Sequence, residues 1–205
     1  MKTFILATQN AGKVKEVRDI AGDSCEVITM GQAGLSLDIE ETGNSFAENA
    51  LIKARAVWNA QKEAGESCLV MADDSGLEID FFDKKPGIYS SRWLGEDTPY
   101  TEKNRIVLER MEKAEPSQRT ARYVCAMAAI LPSGEEVLTE ETVEGTIAYK
   151  PEGENGFGYD PIFWIPEKNQ TFAQMSAEDK HAISHRGKAL RALMRILAEK
   201  GELVL

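Results

Sequence analysis

The first thirty residues constrain the fold most. Residues 2–7, KTFILA, form a short apolar run that stops at the polar segment TQNAGK. A helical period takes over from about residue 11, setting Val14, Val17, Arg18, Ile20 and Ala21 on an expected inner face, and Gly22 closes it. Residues 25–30, CEVITM, then alternate like a second strand. A strand, a polar turn, a helix and a second strand make a β-α-β opening. This order predicts a parallel sheet with a site at the carboxyl end of the first strand.

The rest of the chain continues the alternation. Ser45 and Glu48 have capping-box spacing, so a helix is expected from near residue 45 to about residue 64. Residues 68–72, CLVMA, read as a strand that ends at an acidic turn, Asp73-Asp74-Ser75-Gly76, with a return strand over 77–81. Residues 83–95 read as loop, and Pro99 as the first position of a helix reaching about residue 113. Two long strands, 119–131 and 135–149, are joined at Pro132-Ser133-Gly134, followed by a glycine-rich loop over 150–160 and a short strand over 163–165. Ser176 and Asp179 cap a short helix, and an amphipathic helix over 187–200 comes last. No repeat, low-complexity tract or linker interrupts the pattern. The expected fold is α/β: a mixed sheet with flanking helices, two lobes around a central nucleotide-binding cleft, and residues 1–205 acting as a single domain.

Charge and composition remove several function classes. The formal net charge of −10 argues against a broad duplex-binding surface, which needs a basic face to replace condensed counterions. A small anionic ligand needs only a local cluster of cations and backbone N–H groups. No apolar stretch nears the roughly 18 residues that cross a bilayer, so no membrane role is expected. Cys25, Cys68 and Cys125 are widely spaced in apolar surroundings, which favours buried thiols in a reducing cytoplasm.

Four segments carry residues suited to chemistry. Thr8, Gln9, Asn10, Ala11, Gly12 and Lys13 lead into the first helix, where backbone N–H groups attract anions; lacking the Walker A glycine and hydroxyl, the segment reads equally as an ordinary turn with a surface lysine. Glu40, Glu41, Asp73 and Asp74 offer the carboxylate oxygens that hard cations such as magnesium take. Phe157, Gly158, Tyr159 and Asp160 place a glycine between aromatics, where a planar ligand can approach the backbone, although loop aromatics more often anchor packing. Lys180, His185 and Arg186 supply donors for a phosphate or a base carbonyl, although a lone histidine is usually structural.

Together the segments resemble one family. ATQNAGKVKEV, EETGNSFAENALIKA, ADDSGLEID with PGIYSSRW, GFGYDPIF and AISHRGKAL follow the order and context of the inosine triphosphate pyrophosphatase, or Ham1-like, family. Gln9 departs from it, standing where bacterial relatives usually carry glycine. The resemblance implies magnesium-dependent hydrolysis of ITP, dITP and XTP to the monophosphate and pyrophosphate, which clears deaminated purines from the nucleotide pool. Carried over, Thr8 to Lys13 and Lys53 would hold the triphosphate, and Glu41 and Asp74 the Mg2+, with Glu40 an alternative to Glu41. Asp74 would also be the general base, Ser75 would contact substrate, and Asp73 would support the turn. Phe157 to Asp160, Lys180, His185 and Arg186 would surround base and sugar. The resemblance also implies a homodimer, and the three thiols fit a cytoplasmic location. Two rivals stay open: a house-cleaning pyrophosphatase for other modified nucleotides, and a non-catalytic nucleotide-binding protein. Retention of Glu41, Asp73 and Asp74 together favours catalysis.

Overall fold

The computed structural model describes residues 2–66 and 68–204. It contains strands β1 (Thr3–Leu6), β2 (Glu26–Thr29), β3 (Leu69–Ile79), β4 (Lys85–Pro86), β5 (Thr120–Ile130), β6 (Glu136–Ile147), β7 (Phe163–Ile165) and β8 (Gln170–Thr171). The α-helices are α1 (Ala11–Ala21), α2 (Phe46–Glu63), α3 (Tyr100–Arg110), α4 (Ala177–Ile183) and α5 (His185–Glu199). The strands pair in the order β2-β1-β3-β5-β6-β7-β8, with β4 on β3. β1 runs parallel to β2 and β3, whereas β3/β4, β6/β7 and β7/β8 are antiparallel. The expected α/β class with a mixed sheet is therefore observed.

Two compact units divide the chain. The first comprises the residues up to Asp74, Cys125–Glu141 and the residues from Arg186 onward; the second comprises Ser75–Val124 and Thr142–His185. β3, β5 and β6 each contribute residues to both. The core of the first unit gathers Phe4, Leu6, Val17, Met71, Met127 and Leu193. That of the second gathers Leu77, Val107, Tyr123, Ile147, Phe163 and Phe172.

Helix starts follow the local chemistry of their caps. The Asn10 side chain accepts from Lys13 N–H at 3.1 Å, Ser45 from Glu48 N–H at 3.2 Å, and Ser176 from Asp179 N–H at 3.1 Å. The reciprocal half of the Ser45 box is displaced by one residue, because the Glu48 carboxylate accepts from Asn44 N–H at 2.6 Å. α3 begins one residue later than expected, with Pro99 as its N-cap, and ends at Arg110. α5 begins at His185, two residues earlier than expected. The two-residue strand β4 lies within what reads as loop, and Gln170–Thr171 adds β8.

Two expectations fail for a shared reason. Asp73-Asp74-Ser75-Gly76 is not a turn: β3 runs unbroken from Leu69 to Ile79 through both aspartates. On α1, Arg18 is exposed, bonded to the Val27 carbonyl and Gln32, while Glu16 is buried in its place. Local propensity puts Asp in turns and Glu on solvated helix faces. Both preferences yield here because each buried carboxylate has a cationic partner on a distant segment, which offsets the loss of water.

Candidate active site

β3 is the spine of the acidic site. Successive side chains of a strand point to opposite faces of its sheet, so Asp73 and Asp74 meet different partners. Asp73 Oδ1 lies 3.0 Å from Lys13 Nζ, and its Oδ2 accepts from Arg186 Nε at 3.1 Å and Nη2 at 3.0 Å. Arg186 Nη1 pairs with Glu16, so the guanidinium ties the start of α5 to both β3 and α1. Burial opposes the charge on Asp73, but Lys13, Arg186 and Lys53 hold its carboxyl well below the usual range. The Cys125 Sγ approaches Asp73 Oδ2 at 3.9 Å, and burial, followed by the Asp73 charge, pushes this thiol up, so it stays neutral.

On the other face, Lys53 Nζ bridges two carboxylates, 2.5 Å from Glu41 Oε1 and 3.5 Å from Asp74 Oδ1. Asn49 Nδ2 donates to Asp74 Oδ2 at 3.2 Å, while Asn49 Oδ1 accepts from Gly43 N–H at 2.8 Å. α2 thereby positions Asp74 and holds the backbone just after Glu41. Burial pushes the Asp74 carboxyl above its ordinary value, with Lys53 and Lys13 pulling the other way. The adjacent aspartates are thus driven apart, Asp73 firmly ionised and Asp74 more basic. That is the arrangement from which separate acid–base roles arise. Glu40 is exposed, whereas Glu41 is half-buried and joined to Asp74 through Lys53.

No cluster of three or more His, Cys, Asp or Glu suited to a metal ion occurs among the described residues. A carboxylate pair suits magnesium nonetheless, since that ion keeps several waters and is bound through one or two carboxylates plus substrate phosphates. Glu41 and Asp74 already converge on one cation, the Lys53 ammonium. Their donor set fits a hard divalent ion.

The segment from Thr8 to Lys13 joins β1 to α1. Thr8 Oγ1 accepts from Asn10 N–H at 3.2 Å, Gln9 Nε2 donates to the Leu37 carbonyl at 3.3 Å, and Gln9, Asn10 and Ala11 are exposed. Gly12 lies in the first turn of α1. A cavity of ≈ 530 Å³ opens here, lined by Thr8, Gln9 and Ala11, by Lys15 and Arg18 further along α1, and by Thr29, Met30 and Gly31; Lys53, Asp73 and Asp74 are not part of its lining. It lies outside the carboxyl ends of β1 and β2, where parallel sheets take their ligands, and beside a helix N-terminus that favours anions.

The second unit holds the glycine-aromatic loop. Asp160 Oδ2 accepts from Phe157 N–H at 2.9 Å and from Lys180 Nζ at 2.6 Å, the last pair being buried. Gly156 is required, for its φ is +74° and a Cβ there would meet the Asp160 carboxylate at 2.1 Å. Lys180 Nζ also lies 5.3 Å from the centre of the half-buried Phe157 ring. Tyr159 is an internal anchor, its hydroxyl donating to the Ser90 carbonyl at 3.0 Å. The His185 ring stacks flat on Tyr123, 4.6 Å between centres, and Ser75 is half-buried on β3.

A model of the Ham1 family matches residues 4–196. The chain belongs to the Ham1 family. Similar proteins include the dITP/XTP pyrophosphatase of Clostridium perfringens, 42% identical over 195 residues that cover 94% of this chain and 96% of that protein. The dITP/XTP pyrophosphatase of Bacillus subtilis is 43% identical over 198 residues, covering 96% and 98%. Among solved structures, the Staphylococcus aureus Ham1 protein aligns with a TM-score of 0.83 at 37% identity, over 97% of this chain and 100% of its own. A HAM1 protein from Coxiella burnetii gives 0.83 at 39% identity over the same shares.

Sequence reasoning passed over the site contacts of three residues, two of them inside the Ham1-like motifs. Glu16 and Asn49 sit inside quoted segments, but their i, i+3 or i, i+4 surroundings resemble an ordinary solvated helix face. Cys125 carries no motif at all. Each is recognisable only from the carboxylate or guanidinium it meets.

Proposed function

We infer that this Ham1-family chain is a nucleoside triphosphate pyrophosphatase that hydrolyses noncanonical purine substrates, ITP, dITP and XTP, to the monophosphate and pyrophosphate. The observation that carries the chemistry is the Glu41–Lys53–Asp74 set, two carboxylates held on one cation at a strand that also carries an ionised Asp73 paired with Lys13 and Arg186. The whole chain, residues 1–205, acts as one catalytic domain in this reading, in keeping with a family match that runs through both units.

The roles divide by chemistry. Thr8 to Lys13 and Lys53 meet the triphosphate, offsetting charge on the departing pyrophosphate. Glu41 and Asp74 hold Mg2+, which when bound supplies charge neutralisation at the triphosphate and Lewis acidity toward the attacking water. Asp74, the more basic aspartate, accepts the proton of the water that attacks the α-phosphorus. Ser75 contacts substrate. Phe157 to Asp160 and Lys180 meet base and sugar, with Phe157 as the stacking face. His185 and Arg186 supply donors to the 6-oxo group, Arg186 with its guanidinium anchored on Asp73 and Glu16. Hypoxanthine and xanthine accept at position 6, whereas adenine presents a 6-amino donor. Each buried donor left facing a donor costs about 1–3 kcal/mol.

Pyrophosphate release from dITP, ITP, XTP, dGTP, dATP and dUTP, with and without magnesium, tests the reading. Turnover is expected with the first three and to depend on the cation. Preference for dUTP would support the rival among other modified nucleotides, and no turnover at all would support a binding protein. Among the described residues no helix is long and apolar enough to cross a membrane. We place the enzyme in the cytoplasm as a homodimer on family likeness, and a single-subunit mass by analytical ultracentrifugation would refute the dimer.

Lys53→Met has effects of opposite sign on metal and substrate. Without the ammonium, Glu41 and Asp74 repel each other, so Mn2+ measured by calorimetry in the absence of nucleotide is expected to bind several-fold tighter. Turnover of dITP is expected to fall by about tenfold or more, because a charge-assisted contact to the triphosphate is lost. Weaker Mn2+ binding in the variant would show that Lys53 holds the carboxylates in place rather than standing in for the ion.

A further inference from the structure

α3 supports the glycine-aromatic loop through a side chain outside every motif considered above. Asn104 is 5% exposed, and its Nδ2 donates to the Gly158 carbonyl at 3.1 Å. The acceptor decides which end of the amide faces it, since only the NH2 can donate to a carbonyl. Gly158 has φ +70°, and a Cβ there would lie 3.8 Å from Tyr100, so this peptide runs close against α3. Tyr100 also meets Tyr159 edge-on, 5.2 Å between ring centres. The neighbouring Lys103, 1% exposed, donates to the Ser91 carbonyl, while Tyr159 donates to that of Ser90. Tyr100, Lys103 and Asn104 share one helical face at i, i+3 and i+4. That face carries both the loop following Gly87 and the loop at Gly158.

The half-buried carbonyl of this left-handed residue needs a donor where water is partly excluded, and Asn104 supplies one. The carbonyl it fixes belongs to the Gly158–Tyr159 peptide, one residue beyond Phe157, so Asn104 pins the C-terminal side of the backbone that carries the Phe157 ring, while Asp160 accepts from Phe157 N–H on the other side. We propose that Asn104 is a positioning residue for base binding, acting through the Gly158 carbonyl to hold the Phe157 platform. The proposal rests on the reading that Phe157 stacks on the base. Asn104 has no part in the phosphate or metal chemistry, so its loss acts on the binding of the nucleoside and not on the chemical step. Interactions made equally in ground and transition states appear in KM and leave kcat unchanged.

The test compares Asn104→Leu, similar in shape but lacking the donor, with Asn104→Ala and Phe157→Ala. Removing one buried donor is expected to raise KM for dITP by about 5–10-fold, with kcat within about twofold of wild type. Inorganic pyrophosphate, which has no base, is the second readout, and its inhibition constant is expected to stay unchanged in both Asn104 variants. A general loosening of the fold would shift both constants together, and that result would overturn the proposal, as would an unchanged KM. Asn104→Ala leaves space instead of an apolar branch, so it gives the same reading if the leucine variant does not fold. Phe157→Ala separates the two layers of the argument. If it raises KM while the Asn104 variants do not, the positioning role fails alone. If it leaves KM unchanged, the stacking assignment itself fails.

Discussion

Asp74→Asn is expected to lower kcat for dITP by about 10³-fold, the middle of the range over which a positioned general base acts. The substitution preserves shape, and the new amide oxygen can still accept from Asn49 Nδ2 as Asp74 Oδ2 does. What it removes is a negative charge and a basic oxygen. The amide nitrogen then faces Lys53, donor against donor, and the carboxylate pair that converges on one cation becomes a single Glu41. Stability should move the other way. Burial raises the Asp74 carboxyl above its unfolded value, so the folded state holds this proton to higher pH. Its ionised form therefore costs stability above the unfolded pKa, and that cost is absent from the amide. In metal-free buffer at neutral pH the variant is expected to melt at or above the wild-type temperature while losing turnover. Pyrophosphate release and thermal unfolding measure the two effects. Retention of kcat within tenfold of wild type would remove Asp74 from the chemical step.

The sequence made the architecture legible wherever the determining interactions are local. Asn10, Ser45 and Ser176 cap helices through bonds spanning three residues, and such bonds leave a pattern in the chain. The β-α-β opening was legible for the same reason, through its apolar period. β3 was not. Asp-Asp-Ser-Gly has the composition of a turn, and what keeps it extended comes from Arg186, 113 positions away, and from Lys53, 21 positions away. Glu16 was hidden in the same way, since its partner Arg186 lies 170 positions further on. Glu40 and Glu41 read alike in a loop without periodicity; the structure pairs Glu41 with Lys53 and leaves Glu40 exposed, a difference of long-range contact that no local pattern carries. The motifs named the acidic strand but not the division of its two aspartates between opposite partners.

That division gives the largest expected effect on stability. Arg186→Met is expected to cost about 3–5 kcal/mol at pH 7, the usual penalty for removing one partner of a buried ion pair. The guanidinium is 2% exposed and donates to Asp73 and Glu16, both themselves buried. Methionine fills similar volume, so the loss is one of charge more than of packing. Lys13 stays beside Asp73 at 3.0 Å, but Glu16 is left without this guanidinium. The pH dependence follows from the sign of the Asp73 shift. Burial resists its ionisation, and Lys13 and Arg186 outweigh that resistance, so the folded carboxyl titrates below its unfolded value. The stabilisation is then fully present above the unfolded pKa of about 3.9 and is lost as pH falls toward the folded one. Taking away Arg186 raises the folded value, so the gap between variant and wild type should be widest near neutrality. It should narrow as the pH is lowered toward 4, where the variant's carboxylates take up protons. Urea unfolding at pH 7 and pH 4.5 measures both points. Adding Glu16→Gln to Arg186→Met should recover part of the loss, because the buried charge that the guanidinium had met is then gone as well. A loss below about 1 kcal/mol at pH 7, the size of an exposed pair, would mean that Arg186 contributes no more than a surface contact to holding Asp73.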